Sequence, residues 1–362
     1  MPTPSPAPTA RVLIVGAMLI LYLVWGSTYL GIAVAVDTIP PFIMAAFRFL
    51  LAGSVLLGWT LARERRSFSL PSLREVRDAS IVGALLLGGG MGMVALGELT
   101  VPSGIAALLI AMMPLWVAVF GRVLLGERLP AIAVGGIVVG LAGVTFLVWP
   151  FGGGEGFDLA GIVAVLLSPI FWSLGSLFSA HRARQPSRPL LATSIQMLAG
   201  SATLAVLALL GGEWGAFRPQ AISMDSLVAF VYLTFIGSLL AFTTYVWVLR
   251  KAPLPLIATY AYVNPVVAVI LGAIILGEAV TPRTLVAGAI IVVAVAVIIT
   301  ARGRMRSPAG TGTPSPVPPT DRAAAEPTAT DPAPGPDESF GRDGSSAREG
   351  ASPASALGQH RP

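Results

Sequence analysis

The feature that most constrains this chain is a series of ten apolar stretches, each close in length to a bilayer span. A helix needs ~20 mainly apolar residues to cross the hydrocarbon core, and a backbone in lipid must satisfy its own hydrogen bonds. Only 11% of the residues are charged, against about a quarter in soluble proteins. The chain is therefore predicted to be an all-α integral membrane protein with ten transmembrane helices, at residues 12–34, 41–61, 79–99, 102–122, 131–149, 159–179, 189–210, 226–249, 254–276 and 283–301.

The two ends have a different composition. Residues 1–11 and 302–362 are poor in large apolar side chains and rich in Pro, Ser, Thr and Ala, so both are predicted to be disordered tails. The first apolar run, with Arg11 before it and Ala33-Val34-Ala35 near its end, also resembles a cleavable signal peptide. The run is long enough to span a bilayer and other spans follow, which favours a retained helix.

The basic residues predict the orientation. With the N-terminus in the cytoplasm, 16 Lys and Arg residues lie in or beside the inner segments, and only Arg218 and Arg283 lie in the outer loops. Such a bias is the positive-inside signal, and it predicts an even number of spans with both termini in the cytoplasm. Because the basic residues are spread along short loops and form no patch, a nucleic-acid partner is not expected.

Comparison of the chain with itself shows two related halves. At an offset of 147, Met44–Ser54 falls on Leu191–Ser201, and both segments end in Leu-Ala-Gly-Ser. At an offset of 151, Val101–Glu127 falls on Ala252–Glu278, with a proline at the same place in each. The difference of four residues fits an insertion between the second and third spans. The predicted domains are two five-helix repeats, at 12–149 and 159–301.

An odd number of spans in each repeat means that the second repeat enters the membrane upside down relative to the first. Inverted repeats of this kind are typical of secondary transporters, which bind substrate near the midplane where the repeats meet. The pattern therefore predicts a secondary transporter of a small solute, embedded in the cell membrane.

Several segments resemble the EamA-type branch of the drug/metabolite transporter superfamily: WGSTYLGIAVAVDTIPPFIMAAFRFLLAG, VPSGIAALLIAMMPLWVAVFG, LLGERL, TYAYVNPVVAVILG and ILGE. The similarity covers about residues 12 to 300, in both repeats. The resemblance implies ten helices in two inverted units that export small metabolites or xenobiotics by alternating access. It names no substrate, since relatives differ in what they carry.

Polar and aromatic side chains inside the spans are the candidates for a central cavity. Binding sites combine apolar walls with a few polar groups, and aromatic residues far from the membrane interfaces lie outside the usual belts. Close helix packing is the alternative, and it is favoured for Gly26, Gly31 and Gly175. The predicted substrate-binding residues are Trp25, Thr28, Tyr29, Trp116, Trp172, Ser176, Tyr245, Tyr260 and Asn264.

Pro114 and Pro265 lie in the middle of the fourth and ninth spans. A proline frees a backbone carbonyl and kinks a helix, so each is either a hinge beside the cavity or a purely structural kink. Both alternatives stay open.

Arg48 is the one charge clearly inside a span. It is predicted to pair with Glu98 or Asp37 as an outer clasp or gate, and snorkelling to the surface is the alternative. Glu127 and Glu278 fall at helix ends and are interpreted as loop anchors in preference to proton carriers. No dedicated acidic proton relay is evident.

Other classes of protein fit less well. The chain has no cysteine, and His181 and His360 are far apart, so neither a metal site nor a cofactor is predicted. An integral membrane enzyme acting on a lipid-like substrate lacks a recognisable catalytic motif, and a passive channel lacks a ring of like charges. The expected partners are a small-molecule substrate and the lipid bilayer. The oligomeric state stays open, with a homodimer among the alternatives.

Overall fold

The structure is a computed structural model, and it describes residues 8–63, 70–149, 158–249, 251–252 and 254–306. Within these ranges all regular secondary structure is helical, and the ten main helices are numbered in chain order. They are α1 Pro8–Val36, α2 Pro41–Arg63, α3 Leu73–Gly97, α4 Ser103–Leu125, α5 Ala131–Val148, α6 Leu159–His181, α7 Pro189–Leu210, α8 Met224–Leu249, α9 Tyr260–Ile275 and α10 Pro282–Arg306.

These helices confirm the predicted all-α membrane architecture. In the described part of the chain, nine helices are long and apolar enough to cross a membrane, and α9 is a shorter apolar helix. Helix extends into both predicted tails, because α1 begins at Pro8 and α10 reaches Arg306. Residues 1–7 and 307–362, which hold the rest of the predicted tails, lie outside the described residues.

The ninth predicted span is interrupted near its start. A short helix, Leu254–Ile257, is separated from α9 by a turn at Ala258 and Thr259. The Thr259 hydroxyl donates to the carbonyl of Leu256 at 2.5 Å and also bonds to the hydroxyl of Tyr22 on α1. Thr259 therefore ties this turn to α1, and the apolar pattern of the sequence does not show the break.

Helices of the two halves pack in equivalent pairs. α2 packs on α7 and α5 packs on α10, and each of these pairs joins helices from the same place in the two halves. α1 packs on α9 as α6 packs on α4, and α1 packs on α8 as α6 packs on α3. This reciprocity is what a two-fold relation between the repeats produces.

Two π-helical segments lie at equivalent places in the repeats. They are Ala84–Met91 within α3 and Leu233–Leu240 within α8, and their ends are 149 positions apart. Gly88 and Gly237 occupy the same place in the two segments. Wider turns of this kind change the direction of side chains and are frequent at functional sites.

A distant carboxylate holds the start of α2. Glu213, in the connection between α7 and α8, accepts hydrogen bonds from the backbone N–H groups of Phe42 and Ile43 at 3.3 and 3.0 Å. The first N–H groups of a helix have no partner within the helix and favour a negative charge. Burial raises the pKa of the Glu213 carboxyl above its ordinary value, although these two bonds act in the opposite direction.

Glu278 holds the start of α4 in the same way. Its carboxylate accepts from the backbone N–H groups of Ser103 and Gly104 at 2.7 and 3.0 Å, so its position fits the predicted loop anchor. Glu127 pairs with Arg302 at 2.7 Å and therefore ties the end of α4 to α10.

The outward faces of the helices are apolar. On α5 and α10, for example, Val138 is 61% exposed and Val293 is 59% exposed. A continuous exposed apolar surface is unfavourable in water and favourable against lipid chains, so this surface suits a bundle that spans a bilayer.

Candidate functional site

A cavity lies between the helices of the two repeats. Its walls come from α1, α2, α3 and α4 of the first repeat and from α6, α8 and α9 of the second. It encloses about 910 Å³ of space free of protein atoms, part of which is open to the outside. The volume within it that the centre of a water molecule can reach is about 120 Å³, below the ~300–1,000 Å³ typical of sites for small molecules, so the cavity is narrow in this structure. Nine of the residues predicted for the site or its gate line it, namely Trp25, Thr28, Tyr29, Arg48, Pro114, Trp172, Tyr260, Asn264 and Pro265.

The wall from α1 is a single helical stripe. Trp25, Thr28, Tyr29 and Ile32 all line the cavity, and their spacing of three, four and seven residues places them on one face of a helix. The Thr28 hydroxyl donates to the backbone carbonyl of Trp25 at 2.6 Å. The donor of the Thr28 hydroxyl is therefore used within α1, and its oxygen can still accept a hydrogen bond.

Aromatic rings cluster around Trp25. Its ring lies 5.7 Å from that of Phe242 and 5.1 Å from that of Tyr260, both in edge-to-face arrangements. The Tyr245 ring is also 5.1 Å from Trp25 and stands edge-on to Tyr260 at 6.2 Å. Such contacts restrict the rings, so α1, α8 and α9 together present a preformed aromatic surface.

The second repeat contributes a tryptophan wall from α6. Trp172 lines the cavity with Ser168 and Pro169. α6 approaches the π-helical segment of α3 closely, because a Cβ on Gly90 would lie 3.0 Å from the Trp172 ring. Pro169 was not among the predicted site residues, although a proline in the middle of an apolar span was a signal that could have identified it.

The two mid-span prolines lie differently in their helices. In α4 the helix is broken at Ala111 and Met112, and Pro114 opens the next segment. In α9 the break precedes Pro265 by more than a turn, and Pro265 lies inside the helix. Both prolines line the cavity, and their role as hinges stays a prediction.

Asn264 on α9 is a polar residue in the cavity wall. The residue is 7% exposed, and its Oδ1 atom has no hydrogen-bond partner among the described residues. A buried amide oxygen without a partner is costly, and such groups in native proteins call for an explanation such as a ligand or an ion.

Arg48 is the charged residue among those that line the cavity. It is 3% exposed, so the snorkelling alternative is wrong. Its Nε atom donates to the hydroxyl of Ser238 in the π-helical segment of α8 at 2.9 Å. The guanidinium carbon also lies 5.0 Å from the centre of the Phe49 ring.

The predicted clasp is not formed in this structure. No salt bridge within 4.0 Å joins Arg48 to Glu98 or Asp37 in the described ranges. Asp37 is exposed in the turn after α1, whereas Glu98 is 6% exposed and neither of its carboxylate oxygens has a hydrogen-bond partner among described residues. Ser238, which sequence reasoning did not single out, is the partner that Arg48 has instead.

Five of the predicted residues do not line the cavity. The Trp116 ring stacks on Phe120 at 5.7 Å and packs with the core of α4 and α10, and Tyr245 lies behind Trp25. The five are Asp37, Glu98, Trp116, Ser176 and Tyr245.

The described residues contain no group of three or more His, Asp or Glu side chains that could hold a metal ion. The cavity is instead a mainly aromatic and apolar chamber, and its polar side chains include the guanidinium of Arg48 and the amide of Asn264.

A two-repeat helical membrane bundle around a central cavity is the architecture of a secondary transporter. The chain belongs to the EamA-like transporter family, whose model matches residues 12–149 and 159–300. It is accordingly a multi-pass transporter of the cell membrane and not an enzyme.

Individual relatives agree with this membership. The chain is 38% identical over 278 residues to the uncharacterized inner membrane transporter YedA of Escherichia coli K12, covering 76% of this chain and 87% of that one. It is 24% identical over 290 residues to a probable amino-acid metabolite efflux pump of Salmonella typhimurium LT2, covering 76% and 90%. A crystal structure described without a function shares 25% sequence identity with a TM-score of 0.55, over 83% of this chain and 100% of that chain.

Proposed function

We propose that this chain is a secondary transporter that moves a small metabolite or drug-like solute out of the cell by alternating access of its two inverted repeats. The observation that carries the proposal is the cavity, because both repeats build its walls. The substrate would bind there, and both termini would lie in the cytoplasm, as the positive-inside bias indicates.

The packing supports alternation between two open states. The pair of α1 with α9 and the equivalent pair of α4 with α6 both contribute residues to the cavity. In an inverted repeat, the contacts that one pair makes at the outer face can be made by its counterpart at the inner face. The interruptions of α4 and of the segment before α9 provide places where the backbone can bend.

Outward transport is proposed from the relatives. A homologue from Salmonella typhimurium is named as a probable amino-acid metabolite efflux pump. A cavity with apolar and aromatic walls suits amphipathic solutes.

Counterflow in proteoliposomes tests the proposal. Vesicles containing the purified protein are loaded with an unlabelled solute and diluted into the same solute in labelled form, for a panel of amino acids, nucleosides and cationic dyes. A carrier accumulates the label transiently against its gradient, whereas a channel only equilibrates it. If no solute shows counterflow, the proposed function is wrong.

The cavity is tested in the same assay by tryptophan variants. Trp25→Ala and Trp172→Ala remove aromatic surface from opposite repeats, and each is expected to lower counterflow about tenfold or more, since a stacked aromatic contributes on the order of 1 kcal/mol beyond its buried area. Trp59→Ala is the matched control, because Trp59 is 58% exposed on the outside of α2. Equal losses in all three variants would instead indicate that the tryptophans only stabilise the fold.

A further inference from the structure

Arg48 brings a positive charge to the cavity, and some of its N–H donors have no hydrogen-bond partner among the described residues. Arg48 is 3% exposed, and Nε is the only one of its nitrogen atoms that donates a hydrogen bond to a described residue. Burying a guanidinium costs several kcal/mol unless partners compensate it. The two terminal nitrogens therefore remain available to a group that enters the cavity.

The surrounding helices hold this guanidinium in place. Ser238 takes the Nε donor, and the absence of a side chain at Gly237 leaves room for Nη2, since a Cβ there would lie 3.3 Å from that atom. Both residues belong to the π-helical segment of α8. A preorganised guanidinium binds its ligand with less loss of side-chain entropy.

The chemistry of the other lining residues limits what the guanidinium can bind. A guanidinium presents parallel N–H donors that match a carboxylate in a bidentate arrangement. No second basic residue is among those that line the cavity in the described ranges, so a dianion such as a phosphate monoester would bring one uncompensated charge into an apolar chamber. A carboxylate brings a single charge.

Asn264 adds a second requirement. Asn264 lines the cavity, and a side-chain amide both donates and accepts hydrogen bonds. The substrate should therefore carry a second hydrogen-bonding group in addition to its carboxylate. The rings of Trp25, Trp172 and Tyr260 would then contact an apolar or aromatic body.

We infer that the cavity selects a small amphipathic carboxylate, with the carboxylate on the guanidinium of Arg48 and a second hydrogen-bonding group on the side-chain amide of Asn264. This inference deepens the proposed transport function and rests on it. It assigns Arg48 to substrate recognition, in place of the outer clasp that the sequence predicts.

A matched series of phenyl compounds tests the inference by equilibrium binding to the purified full chain. Phenylalanine has both groups, its methyl ester lacks the carboxylate, and 3-phenylpropionate lacks the amine. Phenethylamine has only the amine, and phenyl phosphate tests the dianion. A hydrogen bond to a charged group changes affinity by roughly tenfold to a hundredfold, so the wild type is expected to bind phenylalanine at least about tenfold more tightly than the ester.

Variants locate the two contacts. Arg48→Gln is expected to remove the preference for phenylalanine over its methyl ester, and Asn264→Ala to remove the preference for phenylalanine over 3-phenylpropionate. Arg218→Gln is the matched control, because Arg218 lies in an outer connection and donates to the carbonyls of Gly215 and Phe217. It should bind the series as the wild type does.

The inference is overturned if the wild type binds ester and acid equally, if no acid in the series binds, or if Arg48→Gln weakens acid and ester alike. Should Arg48→Gln fail to fold, the wild-type comparison of acid and ester decides alone. Binding and transport separate the two proposals: selective binding without counterflow contradicts transport, whereas counterflow without carboxylate preference contradicts only the assignment of Arg48.

Discussion

Gly237 sets the space that is available to the Arg48 guanidinium. A Cβ at this position would lie 3.1 Å from Cγ2 of Thr28 and 3.3 Å from Nη2 of Arg48, closer than ordinary contact. Of these neighbours, the arginine is the more flexible and should move. Gly237→Ala is therefore expected to lower counterflow of the transported solute about tenfold, with a cost in stability of about 1–3 kcal/mol at most from overpacking.

Gly58→Ala is the control for this variant. Gly58 lies on α2, as Arg48 does, and a Cβ there would meet nothing within 4 Å. Alanine favours the helix by up to about 1 kcal/mol, so wild-type transport and equal or higher stability are expected. Similar transport in the two variants would show that the position of the guanidinium does not matter.

At the scale of residues, the sequence predicted the aromatic wall of the cavity better than it predicted the partner of Arg48. Trp25, Thr28 and Tyr29 share one face of α1, so their helical spacing was enough to place them together. The partner of Arg48 could not be found in this way, because Ser238 is 190 positions away and its direction depends on a π-helical segment. A carboxylate partner is the simplest expectation for a buried arginine, and in this structure the hydroxyl of Ser238 is the partner instead.

At the scale of elements, glycine decides how closely α1 and α9 approach. A Cβ on Gly26 would lie 2.6 Å from Cβ of Val267 on α9 and 3.2 Å from the backbone oxygen of Asn264. Gly26→Ala is expected to separate the two helices and to lower the thermal unfolding midpoint, because overpacking costs about 1–3 kcal/mol. The measurement is thermal unfolding of the purified protein in detergent.

Gly16→Ala gives the comparison on the same helix. A Cβ at Gly16 would have nothing within 4 Å, so this variant should unfold at or above the wild-type midpoint. An unchanged midpoint for Gly26→Ala would show that close packing of α1 on α9 does not limit stability, and would weaken the packing interpretation of Gly26.

Spans were predictable because length and hydropathy alone determine whether a helix can cross a bilayer. The interruptions inside these spans could not be predicted in the same way. The break before α9 lies at Ala258 and Thr259, where the chain has no proline, and the π-helical segments of α3 and α8 carry no periodicity that distinguishes them from ordinary helix. Prolines alone therefore located the break in α4 and misplaced the one that precedes α9.

At the scale of the whole molecule, the repeat was the most predictive feature of the sequence. Matching segments at offsets of 147 and 151 indicated two equivalent halves, and the reciprocal packing of α1 with α9 and of α6 with α4 follows from that equivalence. Some helix starts are held by carboxylates from distant connections, as Glu213 holds the start of α2. These contacts could not be predicted from the sequence, because the prediction requires knowing which loops lie beside which helices.

The inverted orientation makes a prediction that this chain is well suited to test, since it contains no cysteine. Asp37 and Ser187 are exposed residues in equivalent connections, before α2 and before α7. With both termini in the cytoplasm, Asp37→Cys should react with a membrane-impermeant maleimide on intact cells, and Ser187→Cys should react only after lysis. If instead Ser187→Cys reacts on intact cells and Asp37→Cys reacts only after lysis, the repeats are inverted but both termini lie outside the cytoplasm. Labelling of both residues from the same side would show that the two repeats are not inverted.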